Sequence, residues 1–156
     1  MSFLLTHLPS GWDVDQAIVW EKTKLVCIRF GRDTDPMCMK MDQMLASCAE
    51  KLKNFVVIYA VDIIKVPDFN KMYELVDPCS VMFFFKNRHI TVDYGTGENN
   101  KMNFLLKTKQ EFIDICEIVY RAASKGLGTA KSIINYANSR NRGKVEENKK
   151  EKKPLV

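Results

Sequence analysis

The residues able to do thiol or metal chemistry are five cysteines (Cys27, Cys38, Cys48, Cys79, Cys116) and two histidines (His7, His89). A zinc knuckle needs closely spaced cysteine pairs, and the nearest two cysteines, Cys38 and Cys48, are too far apart in sequence to form one. An odd cysteine count also argues against a secreted disulfide framework, so most of these thiols are expected to be small core hydrophobes. Two histidines cannot build a His-rich metal site, and they leave few candidates for a Cys–His nucleophilic pair. Asp33 and Asp35 could suggest general acid–base work. With no histidine or metal partner beside them in sequence, helix capping and solvation explain them better. Gly95-Thr96-Gly97 lacks the lysine and helix of a phosphate loop, and Gly126-Leu127-Gly128 follows a helix instead of preceding one. Neither a metal nor a cofactor is expected.

The elements that must position these residues follow from periodicity. Val14–Val19, after Gly11 and Asp13, reads as a short helix with Asp13 near its N-cap. Leu25–Phe30, closed by Gly31, reads as a buried strand interrupted by Arg29. Pro36 opens a longer helix in which Cys38, Met41, Leu45, Cys48, Ala49 and Leu52 recur on one face. Phe55–Val61 is continuous and apolar, as in a strand covered on both faces. Pro67-Asp68 starts a second short helix through Leu75, broken by Asp77-Pro78. Val81–Phe85 is another apolar strand. Its three phenylalanines could be imagined stacking on bases, but such a run is far more typical of core. Ile90–Tyr94 alternates and reads as an antiparallel partner. Phe112, Ile115, Cys116, Val119, Tyr120 and Ala123 define a last amphipathic helix closed by Lys125-Gly126. Strands joined through helices, followed by a hairpin, predict an α/β domain: a three-layer α/β/α sandwich with a mixed central sheet. Of Trp12 and Trp20, one is expected to pack and the other to be exposed.

Composition sets the outer bounds. The chain is 156 residues long, 46% hydrophobic and 28% charged, enough for one domain with a real core. No apolar run is long enough to cross a bilayer. The first residues lack a cationic stretch and a sufficient apolar run for a secretory signal, so an intracellular chain is expected. The net charge of +5 is unevenly placed: residues 140–156 carry seven basic residues against three acids, leaving only +1 for residues 1–139. A near-neutral domain argues against a phosphate-gripping surface, and the basic tail is expected to be disordered.

Within this frame, several strings are distinctive. Phe30–Lys40 (Phe-Gly-Arg-Asp-Thr-Asp-Pro-Met-Cys-Met-Lys) occupies the place of a thioredoxin active-site strand, loop and helix start. Pro78 stands roughly where thioredoxins keep their cis-proline loop. Lys109-Gln110-Glu111-Phe112 is similar to the start of their last helix. Gly11-Trp12, Val14–Ile18, Arg29-Phe30-Gly31, Asp35-Pro36, Cys38–Asp42, Pro67–Leu75, Asp77-Pro78-Cys79, Val81–Phe85 and Asp93–Gly97 together resemble the Dim family, whose fifteen-kilodalton thioredoxin-like member belongs to the U5 spliceosomal particle. The resemblance covers residues 1–126, taken as the thioredoxin-like domain. Residues 127–139 are read as a C-terminal extension departing from the family's ending, and 140–156 as a basic tail.

The resemblance implies a catalytically silent module. Asp35 stands where a dithiol oxidoreductase keeps its nucleophilic cysteine, and Cys38 holds the resolving position. Arg29 replaces a buried proton-shuttling acid, and Thr34 replaces a tryptophan. Asp35 then reads as an N-cap. The same resemblance brings Cys79, beside Pro78, close to Cys38, either as a disulfide or as two packed reduced thiols. A bond there closes a loop of about 40 residues, worth roughly 4 kcal/mol in the chain-entropy model. The family implies a nuclear component of the U5 snRNP and the U4/U6.U5 tri-snRNP, acting as a protein-interaction module in pre-mRNA splicing. Its expected partners are a large U5 scaffold, a tetratricopeptide-type bridging protein and a GYF-domain or polyglutamine-tract-binding adaptor. The chain is expected to be monomeric within that assembly, with no membrane contact and no sequence-specific nucleic-acid binding. Two surfaces are candidates: the former active-site loop (Arg32, Asp33, Thr34, Asp35, Pro78) and the last helix (Lys109, Arg121, Lys125). The competing function is a thiol-dependent oxidoreductase using Cys38.

Overall fold

The computed structural model describes residues 4–137. Six strands form one sheet in the order β1-β3-β2-β4-β5-β6. They are β1 (Thr6–His7), β2 (Leu25–Gly31), β3 (Val56–Asp62), β4 (Cys79–Phe85), β5 (Arg88–Asp93) and β6 (Thr129–Lys131), with helices α1 (Gly11–Trp20), α2 (Pro36–Leu52) and α3 (Lys109–Ser124). β1, β3 and β2 run parallel, and β4 reverses direction between β2 and β5. The expected mixed sheet with helices on both faces is what forms. Every residue of β2 and β4 is buried, including Arg29 and Ser80, which interrupt their otherwise apolar runs.

Two cores flank the sheet. Cys27 and Val81, Phe83 and Phe85 face α2 and α3, where Met41, Leu45, Phe112, Cys116 and Val119 pack. Ile28, Phe30, Met82 and Phe84 face the other way, onto Val14 and Ile18 of α1 and onto Phe69. The triple phenylalanine is therefore core on both sides. Both tryptophans are exposed, contrary to the expectation that one packs, because Val14 and Ile18 already fill the buried stripe of the short α1.

Helix ends follow local chemistry. Ser10, not Asp13, caps α1, accepting a hydrogen bond from the Asp13 N–H at 3.2 Å, so Asp13 sits in the first turn. Asp35 caps α2 as expected, its carboxylate accepting from Met37 N at 2.9 Å with Pro36 at the first helical position. Thr108 and Glu111 form a capping box at α3, and Gly126, with φ +85°, ends it.

Three departures from the sequence reading stand out. The helix expected over 67–75 is only a 3-10 turn, Pro67–Phe69, followed by turns in which Glu74 has φ +51°. The carbonyls of Tyr73 and Glu74 are taken by the ammonium of Lys101, a partner far away in sequence, and no helix continues past them. The N-terminal arm supplies edge strand β1. Residues 127–139, read as an extension, carry β6, which pairs parallel with β5, and Tyr136, whose N–H donates to Tyr94 O at 2.7 Å. Tyr136 is buried against Phe104 and donates its hydroxyl to Glu111, so sheet and core continue past 126. The basic tail at 140–156 lies outside the described residues.

Candidate functional site

The carboxyl ends of β2 and β3 meet the start of β4 at one end of the sheet, with Gly31 paired to both Asp62 and Cys79. The loop Arg32–Asp35 closes over this point. Arg32 N donates to Pro78 O at 3.0 Å, and Asp35 N to Arg32 O at 2.9 Å. The structure thus brings all five residues of the first candidate surface together, with Arg32 and Thr34 exposed and Asp33, Asp35 and Pro78 half-buried. No peptide bond among the described residues is cis, so the Asp77–Pro78 bond is trans, unlike the cis-proline position it resembles. Two exposed apolar residues, Ile64 and Val76, lie on the loops of this same end.

Beneath the loop, Cys38 and Cys79 are fully buried free thiols that lie beside one another. The neighbouring Cys38 thiol, together with burial, pushes the Cys79 thiol up in pKa and keeps it protonated. Asp35 occupies the helix-start position where an attacking thiolate would be stabilised. All five cysteines are buried, so no thiol is presented to a substrate.

The charged part of the site is a buried relay that sequence reading found only in fragments. Arg29, on β2, is fully buried and fixed by two short contacts to the equally buried Asp42 of α2, Nε to Oδ1 and Nη2 to Oδ2, each 2.7 Å. Nη1 donates to Val61 O at 3.3 Å, and Nη2 also donates to Asp33 Oδ1 at 2.8 Å. The other oxygen of Asp33 lies 3.0 Å from His7 Nε2 on β1. Burial by itself lowers the Arg29 pKa, but the hydrogen bonds and charges of Asp42 and Asp33, together with Cys38, outweigh it and hold the guanidinium charged. Asp42 had a signal in the sequence. It lies four residues after Cys38 and three before Leu45, on the apolar stripe of α2, where a carboxylate needs a buried cation. Asp33, assigned above to capping or solvation, is instead the link between Arg29 and His7.

Asp33 makes the relay pH-sensitive. Burial raises its pKa, but Arg29 and then His7 outweigh burial and hold the carboxyl below its ordinary value. A depressed folded-state pKa adds stability above the unfolded value of about 3.9 and loses it as pH falls through the folded value. Wild type therefore exceeds Asp33→Asn in urea midpoint at about pH 6, and the gap closes towards about pH 2. A gap independent of pH contradicts the relay.

The second candidate surface is not one surface. Lys109 starts α3, whereas Arg121 and Lys125 lie at its other end, about 18 Å away at 1.5 Å per residue.

The strand order, the helix that starts beneath the strand–loop junction and the paired thiol position define a thioredoxin-fold protein with a substituted active-site loop. Solved structures agree on the fold: a chloroplastic thioredoxin z aligns with a TM-score of 0.57 and 20% identity over 80% of this chain and 98% of its own. A Plasmodium falciparum thioredoxin aligns at 0.56 and 12% identity, over 72% of this chain and 97% of its own. The chain belongs to the DIM1 family, whose model, described as "Mitosis protein DIM1", matches residues 4–136. It is 57% identical over 135 residues to the spliceosomal protein DIB1 of Eremothecium gossypii, covering 86% of this chain and 94% of that protein. It is 56% identical over 137 residues to the mitosis protein dim1 of Schizosaccharomyces pombe, covering 88% and 96%. Identity to the human thioredoxin-like protein 4B is 38% over 138 residues, covering 88% and 93%.

Proposed function

We propose that this chain is a non-catalytic thioredoxin-like component of the splicing machinery, acting in the nucleus as a protein-interaction module of the U5 and U4/U6.U5 particles. Its relatives in three fungi carry spliceosomal names, and its higher identity to these than to thioredoxin-like protein 4B favours the fifteen-kilodalton branch. The observation that carries the non-catalytic reading is Asp35. A carboxylate at the N-cap cannot form a mixed disulfide, and the remaining pocket thiols are buried. Arg29, locked to Asp42, offers no proton shuttle in place of the missing acid. Released from chemistry, the loop Arg32–Asp35 with Pro78 is a rigid partner surface held from below by the relay. Cys38 and Cys79 are the pair that a thiol oxidant would join into a bond closing the loop between them.

The test has two arms. In an insulin-reduction assay with dithiothreitol, the chain gives no turnover above background. Turnover abolished by Cys38→Ser would establish the oxidoreductase reading instead. In pull-downs from nuclear extract, the wild-type chain recovers U5 proteins, and Arg32→Glu loses most of them while its melting temperature stays within a degree or two, as for an exposed side chain. Normal recovery by Arg32→Glu removes this loop from the partner surface.

A further inference from the structure

The charge of +1 over residues 1–139 conceals a strong segregation along the strand direction. At the end of the sheet opposite the thiol pocket, β2 and β3 begin (Leu25 paired to Val56), β4 turns into β5 (Phe85 paired to Arg88), and all three helices finish. α3 is fixed there by Tyr120, whose ring lies 5.3 Å from Phe55 and 5.8 Å from Phe85. The residues that the topology delivers to this end are Lys22 and Lys24 after α1, Lys51 and Lys53 closing α2, Lys86 and Arg88 around the β4–β5 turn, and Arg121 and Lys125 closing α3. Four carboxylates accompany these eight cations: Asp15, which lines a cleft with Val19, Asn87 and His89, and Glu21, Glu50 and Glu117. Two of them are paired, Glu50 with Lys53 at 2.7 Å and Glu117 with Arg121 at 4.0 Å. Glu21 accepts from the backbone N–H groups of Thr23 and Lys24. Lys22, Lys24, Lys51, Lys86, Arg88 and Lys125 make no ion pair among the described residues.

Lysines at helix C-termini are ordinary dipole partners, so the magnitude decides. Three helix C-termini carry roughly half a negative charge each, offsetting about 1.5 of a surplus of four. About two and a half positive charges remain uncompensated on one end of a small domain. That is a field able to gather a polyanion.

An aromatic face accompanies the charge. Trp20, the last residue of α1, is 71% exposed, and its indole N–H faces Gln16 one turn earlier on the helix. Its sequence neighbours Val19 and Glu21, with Lys22, Lys86 and Asn87, line an open cleft of about 380 Å³ at the same end of the domain. Lys86 itself lies 5.5 Å above the Phe85 ring, which restrains the ammonium at the cleft edge. Fixed cations beside a presented aromatic face are what single-stranded nucleic acid uses: phosphates on the cations and a base on the ring. An acidic protein segment would use the cations but has no need of the indole. We propose that this end of the domain binds the backbone of single-stranded RNA without sequence preference, with Trp20 stacking on one base. This surface is separate from the loop assigned to protein partners.

The test uses the full chain and a short fluorescein-labelled oligouridylate, followed by anisotropy across a salt series. Lys22→Glu/Lys86→Glu/Arg88→Glu lowers affinity at least tenfold and reduces the slope of log K against log salt by about 2, three phosphate contacts at about 0.7 each. The Lys22→Gln/Lys86→Gln/Arg88→Gln variant falls in between, and both variants keep the wild-type melting temperature. In a Trp12→Phe background RNA quenches the fluorescence of Trp20, and Trp20→Leu weakens binding roughly fivefold or more. Reversal of Lys149, Lys150, Lys152 and Lys153 to glutamate leaves the Trp20 quenching in place. Unchanged affinity and salt slope in the triple variants, or absence of Trp20 quenching, overturns the proposal. So does tighter binding of an oligoglutamate peptide than of the oligouridylate, which assigns the surface to an acidic protein.

Discussion

Arg29→Met alone destabilises the protein by about 3–5 kcal/mol, because it strands the Asp42 carboxylate unpaired in the interior, with none of its surface exposed to solvent. Asp42→Leu alone costs a similar amount for the mirror-image reason, since an uncompensated guanidinium is left between β2 and α2. The double variant Arg29→Met/Asp42→Leu recovers most of that loss. The desolvation of two ions that the native pair must overcome is no longer incurred, and apolar side chains of similar length fill the space. Urea denaturation of the four proteins closes the cycle. A coupling of several kcal/mol, with the double variant within about 1 kcal/mol of wild type or above it, is the expected result. If the double variant is as unstable as the sum of the singles, the two side chains do not act as a pair. The double variant also loses the hydrogen bond from Arg29 to Asp33, so its stability no longer carries the acid-side dependence assigned above to Asp33.

The second large effect is expected at Gly31. A β-carbon added there would overlap the Cys38 sulfur, stand 2.8 Å from the carbonyl oxygen of Pro78, and lie 3.3 Å from the Cα of Cys79. The last two are backbone atoms in a sheet register and cannot rotate away, so the strain must be taken by the strand pairing itself. Gly31→Ala is expected to cost about 1–3 kcal/mol by overpacking. Cys38→Ala in the same chain relieves only the sulfur clash, recovering part of the loss. Full recovery would mean that Pro78 and Cys79 are further from Gly31 than described, whereas no loss at all would remove the close packing of β2 on β4 from the site. The same contact explains why thiols and loop are rigidly related, since Gly31 joins Cys38, Cys79 and the Arg32–Pro78 hydrogen bond at a single point.

The dipolar charge of the domain has a functional corollary. If one end holds protein partners through Arg32–Asp35 and Pro78 and the opposite end meets an RNA backbone, the domain is a spacer between the two. Its length is set by the sheet. A relay locked by buried charges and a close-packed glycine junction suit that role, because both resist deformation.

Much of this was legible in the chain before folding. Apolar runs, broken in β2 by Arg29 alone, marked β2, β3 and β4 as buried strands, Asp35-Pro36 marked the start of α2, and Lys125-Gly126 the end of α3, because backbone propensity and capping are local. The absence of a nucleophilic cysteine at position 35 was equally plain, since it concerns residue type alone. What remained hidden depended on partners distant in sequence. Lys101 met the carbonyls of Tyr73 and Glu74 only across the fold, β6 needed β5 beside it, and Asp33 and Asp42 acquired their roles only when β2 brought Arg29 between them. The segregation of charge belongs to the same class. Lys22, Lys53, Lys86 and Lys125 are scattered along a chain whose sum is nearly neutral, and only the alternation of strand and helix directions collects them at one end, since electrostatic potential follows distance in space and not order in sequence.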